Sequence, residues 1–130
     1  MTSVFAVLVA DRNRRNLELV AQLLDRAGFA PRTSATPEEL ERALLDGDDI
    51  ALALVDAGSF DVRRVMDGLK RPDVPLFVLS DARHVARARR YLACGVRGII
   101  PKPVIASELL QIVRGVVGAS DESDSAAARS

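Results

Sequence analysis

Short apolar runs, each ending in one polar residue, are the feature that most constrains how this chain can fold. "VFAVLVAD" ends at Asp11, "IALALVD" at Asp56 and "VPLFVLS" at Ser80, while "VRGIIPKP" carries Lys102. Runs this short and apolar on both faces read as strands covered on both sides. Between them lie stretches of helical periodicity, and that alternation is the signature of a parallel sheet with helices on both faces. Four strands would then deliver two carboxylates, a hydroxyl and an ammonium to one edge of the sheet. Such a set suits phosphate and metal handling. One neighbour reads against that chemistry: Arg12, directly after Asp11.

The pass along the chain gives five βα units. The first strand is expected over about Val4–Ala10 and the first helix over Arg14–Ala27, with Leu17, Val20, Leu23, Leu24 and Ala27 on one face and Gly28 closing it. Ala30–Ser34 reads as a strand that Pro31 confines to the edge. Thr36 is an N-cap candidate, Pro37 takes the first helical position, and Glu38 and Glu39 favour the positive end of a helix reaching Leu45. A central strand is expected at Ile50–Val55, a short helix at Val62–Leu69 and a fourth strand at Leu76–Leu79. A fourth helix (Arg83–Cys94) ending at Gly95, a fifth strand (Gly98–Ile100) and a last helix (Ala106–Val117) follow. In the last helix Leu109, Ile112, Val113 and Val116 face the sheet. From Gly118 the composition loses apolar periodicity, so 1–118 is expected to be one domain and 119–130 a disordered tail or the start of a linker. The sum is a (βα)5 doubly wound, flavodoxin-like α/β fold with strand order 2-1-3-4-5. Ligands of such sheets lie at the carboxyl ends near the switch between strands 1 and 3.

Size and charge narrow the function. A chain of 130 residues buries about two thirds of its unfolded surface and needs no metal or disulfide staple. Its 18 basic residues balance 18 acidic ones, which argues against a dedicated nucleic-acid binder. One cysteine, Cys94, allows no disulfide framework or zinc spacing within the chain. The first apolar stretch lacks a preceding basic region and is too short for a signal peptide or a membrane span. A reducing, cytoplasmic setting is expected. There is no G-x-G-x-x-G, no P-loop, no Cys–His pair and no Ser–His–Asp set in a fitting context, so an enzyme is not expected beyond self-catalysed phosphoryl transfer.

Two carboxylates brought together repel, and a divalent cation such as magnesium (Mg2+) relieves them and recruits a phosphoryl group. Asp56, ending the central strand, is the better nucleophile candidate, since carboxylate oxygens can attack phosphorus to give an acyl phosphate. Asp11 is the better metal ligand. Ser80 can donate to one phosphoryl oxygen and Lys102 can neutralise another. Positioning and charge neutralisation supply most of the catalysis in phosphoryl transfer.

With "VLVAD", the "GF" at Gly28–Phe29, "LALVD", "FVLS", "ACGVRGIIPKP" and the final amphipathic helix, the chain resembles a two-component receiver domain, the regulatory module of response regulators. The resemblance covers about Val4–Gly118. It implies Asp56 as phosphoacceptor, Asp11 and Asp56 as magnesium ligands, Ser80 as switch hydroxyl, Lys102 as phosphoryl-binding lysine and a cis Lys102–Pro103 peptide. It implies a histidine kinase or phosphotransfer protein as donor. A downstream protein partner would dock on the helix 4, strand 5 and helix 5 face, and a homodimer is compatible. No direct nucleic-acid or membrane contact is implied.

The departures point to an atypical member. Arg12 stands where receivers carry a second acid, and could pair with Asp56 or Asp11 and hold the pocket free of metal, or lie solvated on the surface. The segment after Asp56 is short and lacks the typical proline. Ile99 occupies the aromatic switch position of strand 5, so the usual hydroxyl–aromatic coupling to Ser80 is lost. The alternative is a pseudo-receiver, a protein-interaction module independent of phosphorylation. The basic helix carrying Arg83, Arg87, Arg89 and Arg90 would attract an acidic partner. His84 reads as a surface histidine and Cys94 as a small core residue.

Overall fold

The computed structural model describes residues 5–71 and 73–116. Val4, Val117 and the expected tail 119–130 lie outside the described residues. The elements are β1 (Ala6–Ala10), α1 (Arg14–Arg26), β2 (Ala30–Ser34), α2 (Pro37–Leu45), β3 (Ile50–Asp56), α3 (Val62–Gly68), β4 (Leu76–Ser80), α4 (Val85–Arg90), a 3-10 turn (Tyr91–Cys94), β5 (Gly98–Pro101) and α5 (106–116). The five strands are all parallel in the order β2-β1-β3-β4-β5, a flavodoxin-like sheet with helices on both faces.

Side-chain alternation along the strands builds two cores from one sheet. Val7, Val9, Leu52, Leu54, Phe77, Leu79 and Ile100 point to one face, where Leu17, Val20 and Leu24 of α1 and Leu109 and Val113 of α5 cover them. Leu8, Ala10, Ala53, Val55, Leu76 and Val78 point to the other, against Leu40 of α2, Val62 and Val65 of α3 and Ala88 of α4. β1 and β4 are buried at every position, as strands apolar on both faces must be. Pro31 pairs with Val7 on the edge strand, where the missing N–H costs no ladder bond to a further strand.

The helix starts follow local chemistry. The Asn13 side chain accepts from the Asn16 N–H and opens α1. Thr36 Oγ1 accepts from the Glu39 N–H at 3.1 Å, and Glu39 reaches back to the Ala35 N–H at 2.8 Å. That reciprocal pair closes off two amides the helix leaves free. The bond to the Ala35 N–H, with help from Arg14 and Thr36, holds the Glu39 carboxyl below its ordinary pKa.

The fourth helix is shorter than its pattern suggests. Asp81 Oδ1 accepts the Arg83 and His84 amides, so the chain stays in a capping turn until Val85. At the other end the helix tightens into the 3-10 turn and stops at Gly95, whose φ of +104° an L side chain resists. Ala88 is the one fully buried residue of α4, so little packing enforces a longer regular helix.

Leu54 sits at 0% exposure in the central strand. Leu54→Ala is expected to lower stability in urea unfolding by about 3 kcal/mol. Ser34, also at 0% exposure, has a hydroxyl without a hydrogen-bond partner among the described residues. Ser34→Ala should therefore be neutral or stabilising by up to about 1 kcal/mol. A loss of that size instead would mean that the hydroxyl has a partner.

Candidate functional site

The carboxyl ends of β1, β3 and β5 converge on one charged cluster. Asp11 follows β1 directly, and its own N–H donates to the Ser34 carbonyl of β2 at 3.0 Å. Its side chain is 2% exposed. Asp56 is the last residue of β3, and the next amide, that of Ala57, donates to the Leu79 carbonyl at 3.0 Å, fixing the acid at the sheet edge. Lys102 follows β5, its N–H bonded to the Ser80 carbonyl at 2.9 Å, and the Lys102–Pro103 peptide is cis.

Lys102 Nζ donates to Asp11 Oδ2 at 2.7 Å and to Asp56 Oδ1 at 2.9 Å. The ammonium bridges two acids from different strands, with a side chain only 16% exposed. The other two carboxylate oxygens also have donors. The Asn13 N–H reaches Asp11 Oδ1 at 2.9 Å, and the Ser59 hydroxyl reaches Asp56 Oδ2 at 2.6 Å. Burial alone would push the Lys102 pKa down. The hydrogen bonds to Asp11 and Asp56, with their negative charge, outweigh it and hold the ammonium above its ordinary value. Two carboxylates against one ammonium leave a single net negative charge.

Asp11, Asp56 and Lys102 are thus brought together as the sequence reading expects. Ser80 lies at the same edge, 2% exposed, but its hydroxyl donates to the Asp81 carbonyl at 3.0 Å rather than to the acid pair. Ile99 pairs with Val78 and packs, partly buried, against the α2–α3–α4 core.

Of the two readings of Arg12, a pocket plug or a surface residue, the structure shows the second, with the side chain exposed. It forms no ion pair with Asp11 or Asp56 among the described residues; Lys102 takes that role. The Arg12 guanidinium instead lies 5.9 Å from the centre of the Phe60 ring, while the Arg12 N–H donates to Ser59 Oγ at 3.0 Å. Asp11 is already satisfied by the cluster, so the arginine finds its contact on an aromatic face. His84 is exposed as read, with Nδ1 2.7 Å from Asp81 Oδ1, a contact that holds the Asp81 carboxyl below its ordinary pKa. Cys94 is not a core residue. It is partly buried, because the 3-10 turn carries it to the Arg63 guanidinium, 3.3 Å away.

Ser59 is the site residue that sequence reasoning missed. Its N–H closes a turn onto the Asp56 carbonyl at 3.1 Å, which folds the hydroxyl back onto the Asp56 carboxylate. A serine three residues after a strand-end acid, next to glycine in "DAGS", is the signal that carried it.

A divalent cation here would have to compete for carboxylate oxygens that the chain itself already bonds. Magnesium takes six oxygens in a near-octahedral shell, several of them waters and one or two from carboxylates. Asp11 and Asp56 supply two carboxylates, and among the described residues no third acid, histidine or cysteine side chain is grouped with them. All four carboxylate oxygens of the pair already accept a bond from the chain, and the bridging place between them is held by the Lys102 ammonium.

Removing that ammonium leaves a buried acid, Asp11, and a partly buried one, Asp56, without their counter-charge. Lys102→Met is expected to cost about 3 kcal/mol in urea unfolding near neutral pH. Because the folded-state pKa of Lys102 lies above that of the unfolded chain, the ammonium's contribution is complete below about pH 10 and is lost as the pH rises through the folded value. The gap between wild type and Lys102→Met should therefore stay level from about pH 7 to about pH 10 and narrow above that. A gap that widens with alkalinity would contradict the clamp.

No family model and no curated relative matches the chain by sequence. Solved structures do. A response regulator receiver protein from Pseudomonas putida is 25% identical, with a TM-score of 0.76 over 88% of this chain and 99% of that one. A CheY-like receiver domain protein from Methanospirillum hungatei JF-1 is 20% identical, with a TM-score of 0.78 over 93% and 99%. Full-length FixJ from B. japonicum is 17% identical, with a TM-score of 0.78 over 95% of this chain and 63% of that protein. These likenesses take in nearly the whole chain, and the fold it shares with them is that of response regulator receiver domains.

Proposed function

We propose that this chain is an atypical signalling receiver whose phosphoacceptor, Asp56, is neutralised in the resting state by Lys102 rather than by a metal ion. The observation that carries this reading is the double contact of Lys102 Nζ with Asp11 and Asp56. An Asp56 oxygen would attack the phosphorus of a histidine kinase, a phosphotransfer protein or a small acyl phosphate. An O–P bond forms, the bond to the donor atom breaks, and the electron pair leaves with the donor. Lys102 is placed to neutralise charge on the transferred group, and Ser80 to donate to it. Magnesium would act weakly here, because it must compete with the ammonium for the same oxygens. The chain is no turnover enzyme on this reading.

The output would pass to a protein partner on α4 and β5. Arg83, Arg87, Arg89 and Arg90 are all exposed there, which favours an acidic surface. A cytoplasmic setting fits a kinase donor. No described helix is long and apolar enough to cross a membrane. A phosphorylation-independent interaction module is the second reading, favoured by the fact that every oxygen of the acid pair is already bonded.

Intact mass after incubation with acetyl phosphate separates the two. A phosphoryl adduct in wild type, lost in Asp56→Asn, is the expected result, and its yield should respond to magnesium less steeply than in Arg12→Asp. No adduct in wild type but one in Arg12→Asp would favour the interaction module. An adduct that survives Asp56→Asn would remove Asp56 as the acceptor.

A further inference from the structure

On the α2–α3 side of the sheet the packing leaves a groove of about 750 Å³ that opens beside the charged cluster and shares Ser59 with it. Its volume lies in the range that holds small organic ligands. The walls are apolar: Leu40, Leu44 and Leu45 from α2, and Phe60, Val65 and Leu69 from α3 and its flanks. Leu45 is 71% exposed, the most open large apolar residue described. Two features of the sequence form the groove. α3 has only seven residues, so it leaves part of α2 uncovered. Gly68 lets the end of α3 settle on Leu44, where an added Cβ would come within 2.8 Å of a leucine methyl.

The charges at the rim are unequal in their commitments. Arg64 is paired with Glu41 at 2.8 Å, and the Asp61 carboxylate accepts the Arg63 N–H at 3.1 Å as the cap of α3. The Arg12 guanidinium has no carboxylate partner among the described residues and lies over Phe60, at the end of the groove where α3 begins. Lys70 and Asp67, likewise without ion pairs among the described residues, lie together at the far end of α3, so Arg12 is the uncompensated charge only at the end where α3 begins. An apolar trough with an uncommitted guanidinium at one end is complementary to a ligand with an apolar body and an anionic head.

We propose that the α2–α3 groove is a binding site for a small amphipathic anion, its hydrocarbon or aromatic body on Leu40, Leu44, Leu45 and Phe60 and its acid group on Arg12. The guanidinium supplies a planar, permanently charged donor fork that suits a carboxylate or sulfonate. The apolar walls supply most of the contact area. The site stands whether or not Asp56 accepts a phosphoryl group.

Two probes of matched shape test it: 1-anilinonaphthalene-8-sulfonate and its uncharged relative N-phenyl-1-naphthylamine. The sulfonate is expected to bind saturably at one site. Amide shifts in a dispersed two-dimensional NMR spectrum should centre on Arg12, α2 and α3, and decanoate should displace the probe. Arg12→Ala should weaken the sulfonate about tenfold and leave the uncharged probe within about twofold. Leu45→Asp should weaken both. Non-saturable binding, shifts centred elsewhere, or an equal effect of Arg12→Ala on both probes would overturn the proposal. If Leu45→Asp does not fold, the wild-type shift map and the Arg12→Ala comparison decide alone.

Discussion

Everything at the carboxyl edge of the sheet depends on one contact: the Lys102 ammonium held between Asp11 and Asp56. Its two bonds join residues 91 and 46 positions apart, so they exist only after β1, β3 and β5 have found their places in the sheet. The hydrophobic alternation builds the sheet, and the sheet builds the charge cluster. The dependence also runs the other way. Two acids at adjacent strand ends repel, and without the ammonium the β1–β3 pairing would bring like charges together inside a poorly hydrated edge. The cluster is a condition the fold must satisfy as well as a site that the fold presents.

Most of this architecture is legible in the sequence because it rests on period and polarity. Strand runs apolar on both faces can sit only inside a doubly covered sheet, and Pro31 confines its strand to the edge. Thr36, Pro37 and Glu39 mark their helix start by chemistry that operates within four residues. Asp11, Asp56 and Lys102 are legible for the same reason: each is the first polar residue after an apolar run, so its position along the strand determines which edge it reaches. What local pattern cannot hold is the choice of partner. Arg12 and Lys102 are both cations near two acids, and the sequence alone leaves Arg12 either pairing with them or lying on the surface. The structure gives the pairing to Lys102, because β5 delivers it between the strand ends while the turn after β1 directs the Arg12 side chain toward Phe60.

The same limit explains the other departures. Ser59 carries only a turn signal, because its role comes from a turn that folds back on Asp56 and not from strand alternation. The shortening of α4 comes from an aspartate that captures two amides ahead of the helix, a contest between side chain and helix that periodicity does not register. Cys94 misled because a helix-end cysteine is ordinarily a core residue, whereas the 3-10 turn rotates this one toward Arg63.

Arg12 ties the charged cluster to the groove, and it does so with different atoms. Its backbone N–H holds Ser59 Oγ, and that hydroxyl holds Asp56 Oδ2, so the main chain at this position supports the cluster whatever the side chain is. Its guanidinium leaves the cluster, lies over Phe60 and forms the charged end of the α2–α3 groove. An acid at this position would add a third negative charge beside Asp11 and Asp56 and would strengthen the demand for a metal. An arginine adds no third acid to the pair and turns a cation toward a different surface. Arg12 therefore bears on two features at once: a cluster of only two carboxylates, both bonded by Lys102, and a neighbouring trough with a guanidinium at one end. A side-chain change at Arg12 should act mainly on the groove, while the hydrogen-bond chain to Asp56 passes through the backbone and is retained.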